Sequence, residues 1–279
     1  MPVARSLYLP IAGHEMHVTE WGDTTAPALV MWHGLARTGR DFDTIAAHFA
    51  GRWRVICPDT IGRGLSSWSA NPAEDYALAA YVGHAEALLD ALAVERCAWV
   101  GTSMGGLIGM AAAAGPMRAR IQRLVLNDIG PALNPEGVER IKTYVTAIPV
   151  FATMAEFESF MRIVYLPFGR LSDHERRRMT ESSIRRRDDG RITVHYDPKV
   201  MAVFADGIDG FDMWDAWDAV ACPCLVLRGE HSDLTTVETV TEMTRRGPMT
   251  TMVTVPGCGH APALNVPEQI AVVEAFLNR

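Results

Sequence analysis

Gly101-Thr102-Ser103-Met104-Gly105 places a serine between two glycines, with the apolar run Ala98 to Val100 before it and the alanine-rich stretch Met104 to Ala114 after it. That context predicts a sharp strand-to-helix turn, in which the glycines remove side chains that would collide and Ser103 projects as a nucleophile. A hydroxyl is a poor nucleophile until a base takes its proton. Among nine histidines, His260 stands in Gly257-Cys258-Gly259-His260, directly after the last strand-like run and before the C-terminal helix. It therefore returns to the sheet edge that carries Ser103. His48 and His84 fall in helical patterns and His174 in an arginine-rich stretch, where packing or solvation accounts for them. His14 and His17, three apart on an expected strand, face opposite sides and do not jointly hold a metal.

The base in turn needs an acid to hold its tautomer and stabilise the imidazolium, in the chain order serine, acid, histidine. Asp233 fits, in the loop Arg228-Gly229-Glu230-His231-Ser232-Asp233 after the run Cys224 to Leu227. Asp128, after Leu124 to Leu126, is the main rival, and Glu230 comes third. Asp233 is favoured because its loop follows the strand just before the one that delivers His260. An oxyanion formed on attack requires donors. The backbone N–H groups of Met104 and of Leu35, in His33-Gly34-Leu35 after the run Ala28 to Trp32, are the two expected.

Elements able to hold these residues alternate along the chain. Ala28 to Trp32, Trp53 to Cys57, Ala98 to Val100, Leu124 to Leu126, Cys224 to Leu227 and Met252 to Val255 read as strands, with helical patterns such as Tyr76 to Leu92 between several of them. βαβ units in a parallel sheet follow. The rhythm breaks after Asp128 at Gly130-Pro131 and Asn134-Pro135, and resumes at Cys222-Pro223. Residues 135–217 are therefore expected as a mainly helical cap, or lid, inserted into a core of residues 1–134 and 218–279. Its Tyr144, Phe151, Phe160, Trp214 and Trp217 are candidates for an apolar substrate pocket, although most aromatic residues at helical spacing pack inward.

With 48% hydrophobic and 21% charged residues, the 279-residue chain is an ordinary folded protein. A net charge of −7 argues against a nucleic-acid partner. No run approaches a membrane span and no signal-peptide pattern opens the chain, so a cytoplasmic location is expected. Five cysteines without a zinc-type pairing disfavour both a disulfide framework and a metal site, and the chemistry needs no cofactor. The oligomeric state, monomer or homodimer, stays open.

His33-Gly34, the turn Asp59-x-x-Gly62-x-Gly64-x-Ser66, the Ser103 elbow, the Asp233 loop and Gly259-His260 occur in the order found in the α/β-hydrolase family, which the sequence resembles over nearly its whole length. The resemblance implies an α/β fold with an eight-stranded, mostly parallel sheet, helices on both faces and a helical cap inserted after the sixth strand. It also implies a carboxylesterase-type serine hydrolase acting on a small-molecule ester or lactone through a Ser-His-Asp triad and an acyl-enzyme. Enol-lactonases and carbon–carbon bond hydrolases are the alternative, and a ligand-binding protein without turnover the more distant one. Ser103 stands where haloalkane dehalogenases and epoxide hydrolases carry aspartate, which argues against both.

Overall fold

The structure, a computed structural model, describes residues 3–204 and 211–279. Eleven strands occur among these residues: β1 (Arg5–Ile11), β2 (His14–Trp21), β3 (Ala28–Trp32), β4 (Arg54–Pro58), β5 (Cys97–Thr102), β6 (Ile121–Asn127), β7 (Val150–Phe151), β8 (Ile184–Arg186), β9 (Ile192–Val194), β10 (Cys224–Gly229) and β11 (Thr250–Val255). Eight of them form one sheet in the order β1-β2-β4-β3-β5-β6-β10-β11. β1 and β2 pair antiparallel, as do β2 and β4, and the remaining pairings are parallel. All six strands expected from the sequence are present.

Central strands that are apolar at every position must be covered on both sides. In β3 successive side chains go to opposite faces. Val30 and Trp32 join the core that holds Tyr81, Leu88 and Ile108, whereas Leu29 and Met31 join the core that holds Ile45, Phe49, Val273 and Phe276. The helices concerned are α1 (Asp43–Phe49), α2 (Pro72–Asp75), α3 (Leu78–Ala91), α4 (Met104–Ala114), α5 (Pro135–Thr146), α6 (Met154–Val164), α7 (Asp173–Glu181), α8 (Trp214–Ala219), α9 (Val237–Met243) and α10 (Pro267–Leu277). α3 and α4 cover one face, α1 and α10 the other.

The stretch between β6 and β10 contains α5, α6 and α7 but is not purely helical. Strands β7, β9 and β8 form a small antiparallel sheet within it. α6 and α7 each begin at a capping box, Thr153 with Glu156 and Ser172 with Glu175, which satisfies N–H groups that a helix start leaves open. The expected end of the cap at residue 217 needs correction. α8 lies against the core helix α4, and Trp217 is fully buried, with its indole N–H donated to the Arg246 carbonyl. That helix belongs to the core layer, because its bulky indole is buried there.

No helix among the described residues is long and apolar enough to cross a membrane. All five cysteines are free thiols.

Candidate active site

Ser103 sits between β5 and α4 with φ 52° and ψ −119°. This backbone is strained for a residue with a side chain, and the neighbourhood enforces it. A Cβ at Gly105 would collide with the Trp32 carbonyl, and one at Gly101 with the Gly105 carbonyl, so only glycine lets the helix approach the sheet this closely. The Ser103 N–H donates to the Asn127 carbonyl at 3.0 Å, and the Ser103 carbonyl accepts from the N–H groups of Gly106 and Leu107. The hydroxyl is left facing the loop after β11.

His260 comes from that loop and is only 8% exposed. Its Nε2 lies 2.9 Å from Ser103 Oγ. The loop is held from two sides. Gly259 N–H donates to the Pro167 carbonyl at 2.7 Å, which ties it to the segment between α6 and α7, and Asn127 Nδ2 donates to the Pro262 carbonyl at 2.8 Å and to Thr102 Oγ1 at 3.0 Å. Asn127 thus joins the ends of β5 and β6 to the histidine loop.

The other ring nitrogen decides between the two aspartates. His260 Nδ1 is 2.9 Å from Asp128 Oδ2, and Asp128 Oδ1 accepts the Gly229 N–H at 2.9 Å. Asp128 is fully buried, with φ 57°, and its own N–H donates to the Leu227 carbonyl at 2.7 Å. The expectation that Asp233 partners the base is therefore corrected to Asp128. Asp233 instead forms a bidentate ion pair with Arg140 of α5. Burial would raise the Asp233 carboxyl, but Arg140, helped by His260, holds it below the usual carboxylate range. The Asp233 carboxylate is drawn away from His260 because its loop turns outward to meet the start of α5. Asn134 Nδ2 and Gly137 both close on the Asp233 carbonyl. Glu230 is drawn away too, with its carboxylate on the Gly257 N–H.

Leu35 and Met104, the two expected oxyanion donors, line one cavity with Ser103. The loop passes close to the nucleophile, since a Cβ at Gly34 would lie 3.5 Å from Ser103 Cβ. His33 braces this loop, with Nδ1 2.7 Å from the Gly34 carbonyl and Nε2 accepting the Thr60 N–H at 2.9 Å. Burial pushes its imidazole down to about 4, so it stays neutral and keeps both bonds near neutral pH.

Arg63 was not singled out from the sequence, where it is a variable position of the Asp59-x-x-Gly62-x-Gly64 turn. It is fully buried, donates to the Leu35 and Ile61 carbonyls at 2.9 Å, and lies under the rings of Tyr76 and Tyr81. Its side chain contacts Met104 Sδ at 3.6 Å. Among the described residues no carboxylate lies within ion-pair distance of it. A buried guanidinium that holds the Leu35 loop also places positive charge behind both expected donors.

The cavity beside Ser103 measures about 180 Å³. Leu35, Leu107 and Ile129 from the core, Leu78 and Tyr81 from α3, and Val138 and Ile141 from α5 form much of its wall. The expected aromatic pocket residues do not line it. Phe151 and Phe160 pack with Phe157, Tyr144 packs edge-on against Tyr165, and Trp214 lies against the Arg246 guanidinium. Trp217 is in the core, as described. Large rings bury best against one another, which leaves mainly aliphatic side chains, with Tyr81 and Phe211, around the nucleophile.

Residues 29–273 match the model of the alpha/beta hydrolase family. The 3-hydroxybutyrate-oligomer hydrolase of Cupriavidus necator is 41% identical over 278 residues, covering 96% of this chain and 94% of that protein. A solved alpha/beta hydrolase from Novosphingobium aromaticivorans is 36% identical with a TM-score of 0.89, covering 100% of this chain and 99% of that one. The 2-(acetamidomethylene)succinate hydrolase of Mesorhizobium japonicum is 25% identical over 248 residues, 88% of this chain and 84% of that protein. With an eight-stranded mixed sheet, a serine at a strained elbow and likeness along nearly the whole chain, the protein belongs to the alpha/beta hydrolase family.

Proposed function

We propose that this hydrolase cleaves carboxylic esters through Ser103, His260 and Asp128, with short hydroxyalkanoate esters as its substrate class. The observation that carries the reading is the buried relay in which Asp128 meets His260 Nδ1 and His260 Nε2 meets Ser103 Oγ, each at 2.9 Å. Ser103 Oγ attacks the ester carbonyl as His260 Nε2 takes its proton, and Asp128 stabilises the imidazolium without itself being protonated. The Met104 and Leu35 N–H groups, at the N-terminal end of α4 and in the loop facing it, receive the negative oxygen. Collapse expels the alcohol, which takes the proton from His260. A water deprotonated by the same nitrogen then releases the acid and restores Ser103.

The mainly apolar cavity supports a short substrate, since about 180 Å³ is below the roughly 300–1,000 Å³ of drug-sized sites. The 3-hydroxybutyrate-oligomer hydrolase of Cupriavidus necator, matched nearly end to end, supports a chain of small ester-linked hydroxy acids. Hydrolysis of 3-hydroxybutyrate dimers and trimers, enol-lactones and p-nitrophenyl esters of increasing chain length tests the reading, with a fluorophosphonate label mapped by mass. The expected result is turnover of the oligomers and short esters, labelling of Ser103, and loss of about 10⁴-fold or more in kcat for Ser103→Ala. Turnover of enol-lactones alone, or full activity in Ser103→Ala, would overturn it.

A further inference from the structure

His14 at the start of β2 lies far in sequence from Asp75 at the end of α2 and His84 in α3, and none of the three takes part in the relay, yet they converge. We propose that these three side chains form a binding site for a divalent transition-metal ion of the zinc class. One donor atom from each lies within 4.8 Å of the other two, and His14 Nε2 is 3.2 Å from Asp75 Oδ2. Ligand atoms bound tetrahedrally at about 2.0–2.1 Å from zinc stand about 3.3 Å apart. The His14 and Asp75 atoms already match that spacing, and His84 has only a small approach to make.

His84 is the observation that an ordinary ion pair does not explain. Its side chain is 3% exposed, its Nδ1 is enclosed with no hydrogen-bond partner, and neither ring nitrogen bonds to a described residue. A buried imidazole left in this way carries an uncompensated desolvation cost that a metal ion removes. Ser69 Oγ donates to Asp75 Oδ2, the same oxygen that faces His14, and so fixes the orientation of the carboxylate.

Two imidazoles and one carboxylate are too few oxygens for calcium and suit zinc or its neighbours. His14 and Asp75 are partly exposed, which gives the ion a route in and leaves room for a water as fourth ligand. A bound ion would fasten the start of β2 to α2 and α3, and α3 carries Leu78 and Tyr81 into the wall of the cavity beside Ser103.

The test is calorimetric titration of the chelator-stripped, untagged full chain with zinc chloride, with cobalt(II) absorption as a second readout. Wild type is expected to bind one ion at this site and to gain about 5 °C in melting temperature at saturating zinc. His84→Phe, which keeps the buried ring but not its nitrogens, and His14→Gln, at the partly exposed first position of β2, should each weaken that binding by about 100-fold or more. Asp75→Asn should abolish the thermal gain. Unchanged affinity in His14→Gln and Asp75→Asn would place any bound metal elsewhere, on the thiols or His260, and would overturn the proposal. Absence of binding by wild type would overturn it too.

Discussion

Asp128 and Asp233 follow neighbouring parallel strands, β6 and β10, at the same edge of the sheet, and their surroundings differ in almost every physical respect. Asp128 is reached straight from Leu124-Val125-Leu126-Asn127, all buried, and its carboxylate is enclosed. A charge in such a place is tolerable only when hydrogen-bonded, and both oxygens are, one by Gly229 N–H and one by His260. Asp233 lies beyond a polar loop, with 38% of its side chain exposed and Arg140 as its partner. Solvent competes there for every bond. Enclosure separates a group able to hold the tautomer of a base from one that fastens a cap helix to the core.

The largest effect should come from Asp128→Asn. An amide in that position cannot accept from both Gly229 N–H and His260 Nδ1–H, so one bond becomes a clash or the histidine turns to the wrong tautomer. Loss of about 10³–10⁴-fold in kcat is expected, with the fold retained by circular dichroism. Activity within tenfold of wild type would break the comparison and return the acid role to Asp233.

An intermediate effect is expected at Asn127, which ties Thr102 and Pro262 together beneath the histidine loop. Asn127→Ala leaves the buried Pro262 carbonyl unpaired, at a cost of about 1–3 kcal/mol in stability by urea unfolding. It should also slow kcat about tenfold as His260 loses its fixed distance from Ser103. A stability loss with no change in rate would mean that the cap bond from Gly259 to Pro167 alone sets the loop.

That Ser103 and His260 meet was legible from the sequence, because glycines at an elbow and a Gly-His after the last strand report the backbone turns that bring both to one sheet edge. The sheet was legible for the same reason, since uninterrupted apolar runs must be covered on both faces. Which carboxylate meets His260 Nδ1 was not, because two aspartates follow strands in the permitted order and chain order carries no information on burial. A signal did exist. Asp128 follows the apolar run Leu124 to Leu126 by one asparagine and precedes Ile129, whereas Asp233 follows the polar run Arg228 to Ser232, and the enclosed site belongs to the apolar run. The pocket was misread because aromatic residues in the cap bury against each other. Arg63 was invisible since an arginine in a turn normally reaches water, and only the tertiary packing of Tyr76 and Tyr81 encloses it.

The smallest effect, and the one that sharpens the comparison most, belongs to Asp233→Asn. With side chains 35% and 38% exposed, the Arg140–Asp233 pair is screened by water, and its loss should cost only about 0.5–1 kcal/mol. Turnover should fall by less than about threefold, because the pair sets the seat of α5 and so the Val138 and Ile141 wall of the cavity but not the relay. The folded-state carboxyl sits below the ordinary value of 3.8, so its contribution is present above that pH and is lost as the pH falls through the folded-state value. Wild type and variant should therefore differ in urea stability by a constant amount from neutral pH down to about 5, and converge in more acidic solution. A gap that persisted in acid would mean that Asp233 acts by shape, through its backbone seat under Asn134 and Gly137, and a loss of turnover matching that of Asp128→Asn would make the two loops equivalent after all.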